Sequence, residues 1–316
     1  MIDDPASLEV SVVVPVYGSA PIVPALVART SAALTSGAPA RSFELVLVCD
    51  ASPDDSWQAI QKEAAANPRV RGVLLRRNAG QHNATMAGLH HARGARIVVM
   101  DDDLQHPPEA IPLMLAKLDE GFDVCYTHYL HRKHPLWKRF GSAVNDRAAR
   151  VLLGKPAKLY LSSFKALQRD VAREVLRYDG PFAYVDGLIL DVTRHITTVD
   201  IEHGERHAGA GNYTIRRSLG LWLKMATSFS VYPLRLMAAG GFILALLSGV
   251  FGVGIALYKL LHPEIPAGWT SLIATILFVG GIQMVGLGIL GEYLGRAYLK
   301  LNRKPQFVVR TTTFDQ

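Results

Sequence analysis

The stretch RIVVMDDDLQHPPE, from Arg96 to Glu109, indicates how the first part of this chain is built. Its apolar residues, Ile97 to Met100, are typical of a short buried strand, and three consecutive aspartates follow them directly. Neighbouring carboxylates repel one another, and burying any of them is costly. We therefore expect a positively charged ligand where this strand ends.

The chain before this stretch alternates apolar runs with helix-like segments. The runs predict strands at Val10 to Tyr17, Phe43 to Ser52 and Val70 to Arg77, with helices between them. Such alternation is typical of an α/β domain with a mainly parallel sheet, in which functional groups gather at the carboxyl ends of the strands. Three groups of candidate residues occupy those ends: Pro15 to Tyr17, Asp50, and Asp101 to Asp103.

The composition limits the class of protein. The 316 residues are 49% hydrophobic and carry a formal charge of +7, which favours an anionic partner such as a nucleic acid, a phosphorylated ligand or an anionic bilayer. Cys49 and Cys125 lie within apolar runs and lack zinc-ligand spacing, so neither a disulfide framework nor a zinc site is expected. The first residues lack the pattern of a signal peptide.

Two long runs without charge occur near the C-terminus, Leu236 to Leu257 and Trp269 to Leu290. Each is long enough to cross a hydrocarbon core of ~30 Å as a helix, so two transmembrane helices are predicted. Basic residues flank both runs on their outer sides, which predicts a multi-pass protein of the inner membrane with both termini in the cytoplasm. A pair of buried core helices is the alternative.

This pattern predicts four segments. Residues 1–214 form the α/β catalytic domain, residues 215–231 an interfacial amphipathic helix, residues 232–292 a two-helix transmembrane hairpin, and residues 293–316 a basic cytoplasmic tail. The amphipathic pattern of residues 215–231 is equally typical of a helix packed on the globular domain.

The acidic cluster suggests a metal site. On an extended segment residues i and i+2 point the same way, so Asp101, Asp103 and Gln105 would share one face while Asp102 points to the other. Carboxylate and amide oxygens are ligands suited to Mg²⁺ or Mn²⁺. The alternative is a solvated acidic turn before a helix that starts at Pro107. No GxGxxG or GxxxxGKS/T motif follows any of the strands, which argues against dinucleotide enzymes and common NTPases.

Several motifs together resemble one family. They are PVY at Pro15, CDASPDDS at Cys49, RNAGQHNATMAG at Arg77, DDDLQHPPE at Asp101 and GEYLGRAYLKLNRKPQFVV at Gly291. In this combination the chain is similar to the polyprenyl-phosphate glycosyltransferases of glycosyltransferase family 2, over nearly its whole length.

The resemblance implies both a fold and an activity. The fold is GT-A, a Rossmann-like domain with a mainly parallel sheet, followed here by the interfacial helix and two transmembrane helices. The implied reaction transfers a sugar, with inversion, from a nucleotide-sugar to the phosphate of a membrane polyprenol. UDP is favoured over GDP, and undecaprenyl phosphate over other polyprenols, for envelope glycan or lipid A modification. Membrane lipid and further copies of the chain, as a tetramer, are the other implied partners; nucleic acid is not one.

The resemblance also assigns roles to residues. The metal, Mg²⁺ or Mn²⁺, falls to Asp101, Asp103 and Gln105, and the catalytic set is Asp101, Asp103, Arg206 and Asp102, the last as a candidate base. Nucleotide-sugar binding falls to Pro15, Tyr17, Asp50, Asn78, Gly80, Gln81, Asp101 and Asp102. Acceptor-phosphate binding falls to Ser163, Lys165, Arg169 and Arg206 by the resemblance, and to Arg132 and Arg139 because they flank Trp137 in a basic run. The basic and aromatic run around Trp137 suits an anionic headgroup, although a solvated basic face has the same pattern.

Departures from the family pattern leave the sugar open. PVYNE is replaced by PVYGS, the usual aspartate pair by Cys49-Asp50, and the G-E-S-K-Y loop by Gly209 to Tyr213. Two other functions compete. A processive polysaccharide synthase is disfavoured by only two predicted spans and no QxxRW motif, and a non-catalytic nucleotide-sugar sensor or scaffold is disfavoured by the intact acidic cluster.

Overall fold

A computed structural model describes residues 8–36, 41–129, 156, 159–201, 232–261, 268–302 and 304–314. The chain divides into two compact units, one formed by Met1–Tyr213 with Arg303–Gln316 and the other by Thr214–Asn302. The predictions for Arg132, Arg139, Arg206, the loop at residues 209–213 and the interfacial helix at 215–231 lie outside the described residues.

The first unit combines eight strands with six helices among its described residues. The strands are β1 (Val10–Val16), β2 (Phe43–Cys49), β3 (Val70–Leu75), β4 (Arg96–Val99), β5 (Val124–Tyr129), β6 (Lys165–Gln168), β7 (Ile196–Ile201) and β8 (Val309–Thr312). The helices are α1 (Val23–Thr35), α2 (Ser56–Ala66), α3 (Gln81–His91), α4 (Ile111–Asp119), α5 (Arg169–Val175) and α6 (Val185–Val192), and a 3₁₀ turn spans Pro108–Ala110.

The strands form one mixed sheet of order β7-β5-β6-β4-β1-β2-β3-β8. Neighbours within the block β4-β1-β2-β3 are all parallel, which confirms the predicted α/β sheet. Every residue of β1 and β2 is buried, as expected for strands covered on both faces. Helix α3 packs so closely on β1 that a Cβ at Gly88 would lie 2.3 Å from Val13 Cγ1.

The acidic stretch is not extended as predicted. Strand β4 ends at Val99, Asp102 and Asp103 lie in a turn, and Leu104 has a φ of +57°. A buried leucine in the left-handed region reverses the chain within a few residues. The expectation that Asp101, Asp103 and Gln105 alternate along an extended segment is therefore wrong.

The C-terminal residues of the chain add a strand to the sheet. Residues 309–312 pair antiparallel with β3, with Val73 opposite Thr312. The guanidinium of Arg71 lies 3.8 Å from the ring centroid of Phe314, on the same edge of the sheet. The chain thus returns to the first unit after the second one.

The second unit contains two long helices, α7 (Tyr232–Leu261) and α8 (Trp269–Leu301). Within the described part of the chain, one segment, Phe278–Leu301, is long and apolar enough to cross a membrane by length and composition. Met237 of α7 lies against Gly286 of α8, where an added Cβ would be 3.3 Å from Met237 Cε. Large apolar side chains are nevertheless exposed on both helices, among them Phe242, Leu246, Phe251, Ile276, Phe278 and Met284.

Candidate active site

A cleft of about 360 Å³ opens at the carboxyl ends of β1, β2 and β4. Parallel strands bring their carboxyl ends to one edge of the sheet, which is why residues far apart in sequence meet there. The structure brings all eight residues predicted to bind nucleotide-sugar into this cleft. Its lining residues are Pro15, Val16, Tyr17, Asp50, Asn78, Gly80, Gln81, Asp101, Asp102 and Asp103.

The three consecutive aspartates make different contacts. Asp102 Oδ2 accepts a hydrogen bond of 2.9 Å from the Tyr17 backbone N–H, which links the turn after β4 to the end of β1. Asp103 Oδ1 accepts one of 3.0 Å from the backbone N–H of Gln105 and closes the turn. The side chain of Gln105 does not line the cleft.

Asp101 has the most elaborate surroundings of the three. Its Oδ1 accepts a hydrogen bond from Gln81 Nε2, and its Oδ2 accepts one of 2.5 Å from Ser163 Oγ. Nε2 of His106 lies 3.0 Å from the same Oδ2. No pattern in the sequence singles out His106, because its only signal is a position five residues after Asp101.

These contacts separate the pKa values of neighbouring carboxyls. Burial by itself raises the pKa of Asp101, but hydrogen bonds from His106 and Ser163, with the positive charge of Lys165, lower it overall. For Asp102, burial and the charges of the adjacent aspartates outweigh its hydrogen bonds, so its pKa is raised. The fold therefore favours a negative charge at Asp101 over one at Asp102.

The floor of the cleft depends on Asp50. This side chain is buried at the end of β2, and its Oδ1 and Oδ2 accept hydrogen bonds of 2.7 and 2.9 Å from the backbone N–H groups of Ala79 and Gly80. Gly80 has a φ of +85°, a conformation that favours glycine, and Gln81 then begins α3. Asp50 therefore shapes the loop that carries Gln81 to Asp101.

The turn after β1 is also held by side chains that follow β2. Gly18, with a φ of +72°, donates its backbone N–H to Ser52 Oγ, and the Ala20 backbone N–H donates to Asp54 Oδ2. Burial raises the pKa of Asp54, yet hydrogen bonds from Ser52, Ser56 and backbone N–H groups lower it to about 2. A firmly ionised Asp54 thus fixes the edge of the cleft where PVYGS replaces PVYNE.

Comparison with known proteins agrees with this geometry. The model of the family described as glycosyl transferase family 2 matches residues 11–176. The chain belongs to glycosyl transferase family 2. An undecaprenyl-phosphate 4-deoxy-4-formamido-L-arabinose transferase from Shewanella sediminis is 35% identical over 305 residues, which cover 95% of this chain and 91% of the relative. One from Klebsiella pneumoniae is 34% identical over 313 residues, covering 98% and 95%.

A solved structure supports the fold. Glucosyl-3-phosphoglycerate synthase from Mycobacterium tuberculosis aligns with 71% of this chain and 79% of its own, with a TM-score of 0.50 and 20% identity. This likeness supports a GT-A type α/β domain. Family membership and relatives that match nearly the whole chain together identify it as a glycosyltransferase.

The acceptor residues predicted near β6 of this glycosyltransferase are not all brought to the cleft. Ser163 reaches Asp101, but Lys165 forms a buried ion pair with Asp186. Arg169 lies at the opposite end of β4, where its guanidinium donates to the backbone carbonyl of Arg93. Strand β6 runs antiparallel to β4, so a step of four residues along β6 passes from one end of β4 to the other. Arg169 therefore lies away from the cleft and does not line it.

The residues of the cleft fit a divalent cation that is shared with a ligand. The described residues contain no group of three or more His, Cys, Asp or Glu side chains placed to hold a metal by themselves. Asp101 and Asp103 nevertheless line the same cleft. Mg²⁺ commonly binds through one or two carboxylates and completes its coordination with waters and substrate phosphates. The two carboxylates therefore fit Mg²⁺ or Mn²⁺ together with a diphosphate.

Proposed function

We propose that this glycosyltransferase transfers a sugar, with inversion, from a UDP-sugar to the phosphate of undecaprenyl phosphate, with Mg²⁺ or Mn²⁺ as cofactor. The product is a polyprenyl-phosphate-linked sugar for envelope glycan or lipid A modification. The observation that carries this proposal is the cleft at the ends of β1, β2 and β4, in which Asp101 and Asp103 lie beside Asp50 and Tyr17. The names of the relatives support undecaprenyl phosphate as the acceptor.

The chemistry requires little proton transfer. A phosphate oxygen of the acceptor attacks the anomeric carbon, the bond from that carbon to the diphosphate oxygen breaks, and UDP leaves with the bonding electrons. Since the second pKa of a phosphate monoester is near 6, the acceptor is already anionic at neutral pH and needs no strong base. A bound Mg²⁺ or Mn²⁺ would neutralise charge that develops on the leaving diphosphate. Asp101 and Asp103 would hold that cation, and the loop at Gly80 would orient the nucleotide.

The lipid acceptor requires a membrane location, and the helices of the second unit support two spans. Helices α7 and α8 have 30 and 33 residues, so at about 1.5 Å per residue both exceed a ~30 Å hydrocarbon core. Segments of the first unit precede and follow Thr214–Asn302, and β8 pairs with β3. A chain that returns to the same sheet must cross a membrane an even number of times. One crossing by α8 therefore requires a second, for which α7 is suited.

The proposal is tested with the full-length protein in detergent. It is incubated with undecaprenyl phosphate, Mg²⁺ or Mn²⁺, and a panel of UDP- and GDP-sugars that includes UDP-4-deoxy-4-formamido-L-arabinose, and both glycolipid and released nucleotide are measured. We expect one UDP-sugar to give both products in equal amounts and to raise the apparent melting temperature, as a ligand of the folded state does. Replacing Asp101 and Asp103 together with alanine should lower turnover by more than ~100-fold.

Three outcomes would contradict the proposal. Nucleotide release without glycolipid would indicate hydrolysis, and binding of a nucleotide-sugar without either product would indicate a sensor or scaffold. Parent-like turnover in the double alanine variant would separate the activity from this cleft. The Asp55→Asn variant is the matched control, because Asp55 is an exposed aspartate outside the cleft.

A further inference from the structure

The carboxylate of Asp101 has little freedom in its contacts. Oδ2 accepts from Ser163 Oγ at 2.5 Å and lies 3.0 Å from His106 Nε2, while Oδ1 accepts from Gln81 Nε2. Because a carboxylate oxygen can only accept, the Nε2 atom must carry the proton in this contact. Each carboxylate oxygen accepts about two hydrogen bonds, so the donors among the described residues occupy Oδ2 and leave one acceptor position on Oδ1.

The two donors on Oδ2 are themselves fixed by packing. His106 is only 6% exposed, its ring lies 5.3 Å from that of Phe164, and its Nε2 is also 3.0 Å from Ser163 Oγ. Ser163 lies just before β6, and the antiparallel register places Lys165 opposite Val99 at the end of β4. Ser163 is thus positioned by the sheet and His106 by the core. Both contact Asp101, which lies two residues beyond the end of β4.

We infer that Ser163 and His106 are positioning residues, which fix the Asp101 carboxylate so that only Oδ1 is offered to the cation that the diphosphate would share. This inference rests on the proposed metal-dependent function and deepens it. It also differs from the role that sequence reasoning gave Ser163, which was direct binding of the acceptor phosphate. Removing a hydrogen bond that orients a metal-binding side chain typically weakens metal affinity by roughly 10- to 100-fold.

Ser163→Ala is the informative variant, because it deletes only the hydroxyl group. Mn²⁺ binding to the full-length protein in detergent is titrated by electron paramagnetic resonance, first with Mn²⁺ alone and then with UDP. We expect Ser163→Ala to weaken Mn²⁺ binding by roughly 10- to 100-fold, Ser163→Thr to restore it, and the KM for undecaprenyl phosphate at saturating Mn²⁺ to stay unchanged.

Ser162→Ala is the matched control. Ser162 is a more deeply buried neighbour whose Oγ accepts from Thr127 Oγ1 at 2.9 Å and from the Phe164 backbone N–H at 3.2 Å, with no contact to Asp101 among the described residues. It should lose stability while keeping Mn²⁺ affinity within about twofold of the parent. An equal loss of Mn²⁺ affinity in Ser162→Ala would show a general packing effect and overturn the inference.

His106 gives a second, independent comparison. His106→Gln can keep a donor near Oδ2 and should bind Mn²⁺ better than His106→Leu, which cannot. Should His106→Leu fail to fold, the serine variants decide the question alone.

Other outcomes separate this inference from the proposed function. Parent-like Mn²⁺ affinity with a raised KM for undecaprenyl phosphate in Ser163→Ala would make Ser163 an acceptor contact and overturn the inference. Absence of Mn²⁺ binding by the parent would overturn it as well. A parent that binds Mn²⁺ and UDP but forms no glycolipid would refute the proposed acceptor, while the Mn²⁺ titrations would still decide the role of Ser163.

Discussion

Replacing Asp50 with asparagine tests how the floor of the cleft is built. The carboxylate accepts backbone N–H groups with both oxygens, at 2.7 Å from Ala79 and 2.9 Å from Gly80, and the residue is 3% exposed. Asparagine has nearly the same shape, but one of its two terminal atoms is an NH₂ group. One backbone N–H would therefore face another donor in a part-buried site.

The size of the effect follows from those two hydrogen bonds. A hydrogen bond to a charged group contributes about 1.5–3 kcal/mol, and an unsatisfied buried donor costs about 1–3 kcal/mol. Asp50→Asn loses one bond and removes the charge from the other, so we expect the free energy of unfolding to fall by about 2–4 kcal/mol. At ~2–4 °C per kcal/mol for a domain of this size, the apparent melting temperature should drop by several degrees.

Nucleotide affinity should fall together with stability, because the loop held by Asp50 leads to Gln81, whose side chain donates a hydrogen bond to Asp101. Melting of the full-length protein in detergent and calorimetric binding of UDP with Mn²⁺ measure the two effects, with Asp55→Asn as the exposed control. A variant that melts like the parent and loses only UDP affinity would refute the reasoning. Asp50 would then contact the nucleoside directly, as the family resemblance implies, and its hydrogen bonds to the loop would be dispensable.

Two further predictions concern the stability of the first unit. Glu44 is buried and accepts from Ser11, Arg71 and Arg93; burial raises its pKa, but these contacts lower it overall, below 4.5. Its stabilising contribution is then complete above pH 4.5 and is lost as pH falls through the folded-state pKa. We therefore expect Glu44→Gln to lower the free energy of unfolding by about 3–5 kcal/mol at neutral pH and by progressively less below pH 4.5. Constant destabilisation in melts from pH 6 to pH 3 would contradict this. Gly88→Ala should lower the free energy of unfolding by roughly 1–3 kcal/mol despite the better helix propensity of alanine, because its Cβ would overlap a rigid valine of β1. An unchanged or higher melting temperature would contradict this.

The parallel core of the sheet was predictable because its strands carry a strong local signal. Strands β1 to β3 begin at the predicted residues, Val10, Phe43 and Val70, and end one to three residues early. Each is a run of apolar residues with no competing pattern. Of the polar residues that the predictions added to the ends, Tyr17 and Asp50 line the cleft, where the chain leaves the sheet to form turns.

Strand β8 could not be found in the same way. It has four residues, Val309–Thr312, none of them fully buried, in a segment rich in charge. Its partner β3 lies more than 200 residues earlier in the chain, and only the folded sheet shows that one edge of β3 can pair with a further strand. Pairing between such distant segments leaves no periodicity in the sequence.

The residues that line the site could be predicted from the sequence, but the hydrogen bonds that they make could not. Strand ends and the family resemblance together brought eight residues to one cleft, but the partners of Asp101 depend on a left-handed Leu104 and on the register of β6. Neither feature has a sequence signature. Arg169 illustrates the consequence, since four residues along β6 separate a side chain near the cleft from one at the other end of β4.

The contacts also resolve the repulsion expected among three adjacent aspartates. Asp101 has its pKa lowered by donors fixed in the core, whereas Asp102 has its pKa raised and accepts a hydrogen bond from the backbone at the end of β1. Asp103 closes the turn with one oxygen. The charges are therefore not equivalent, because the fold stabilises ionisation at Asp101 and opposes it at Asp102. A divalent cation between Asp101 and Asp103 would complete its coordination with waters and with the oxygens of a diphosphate.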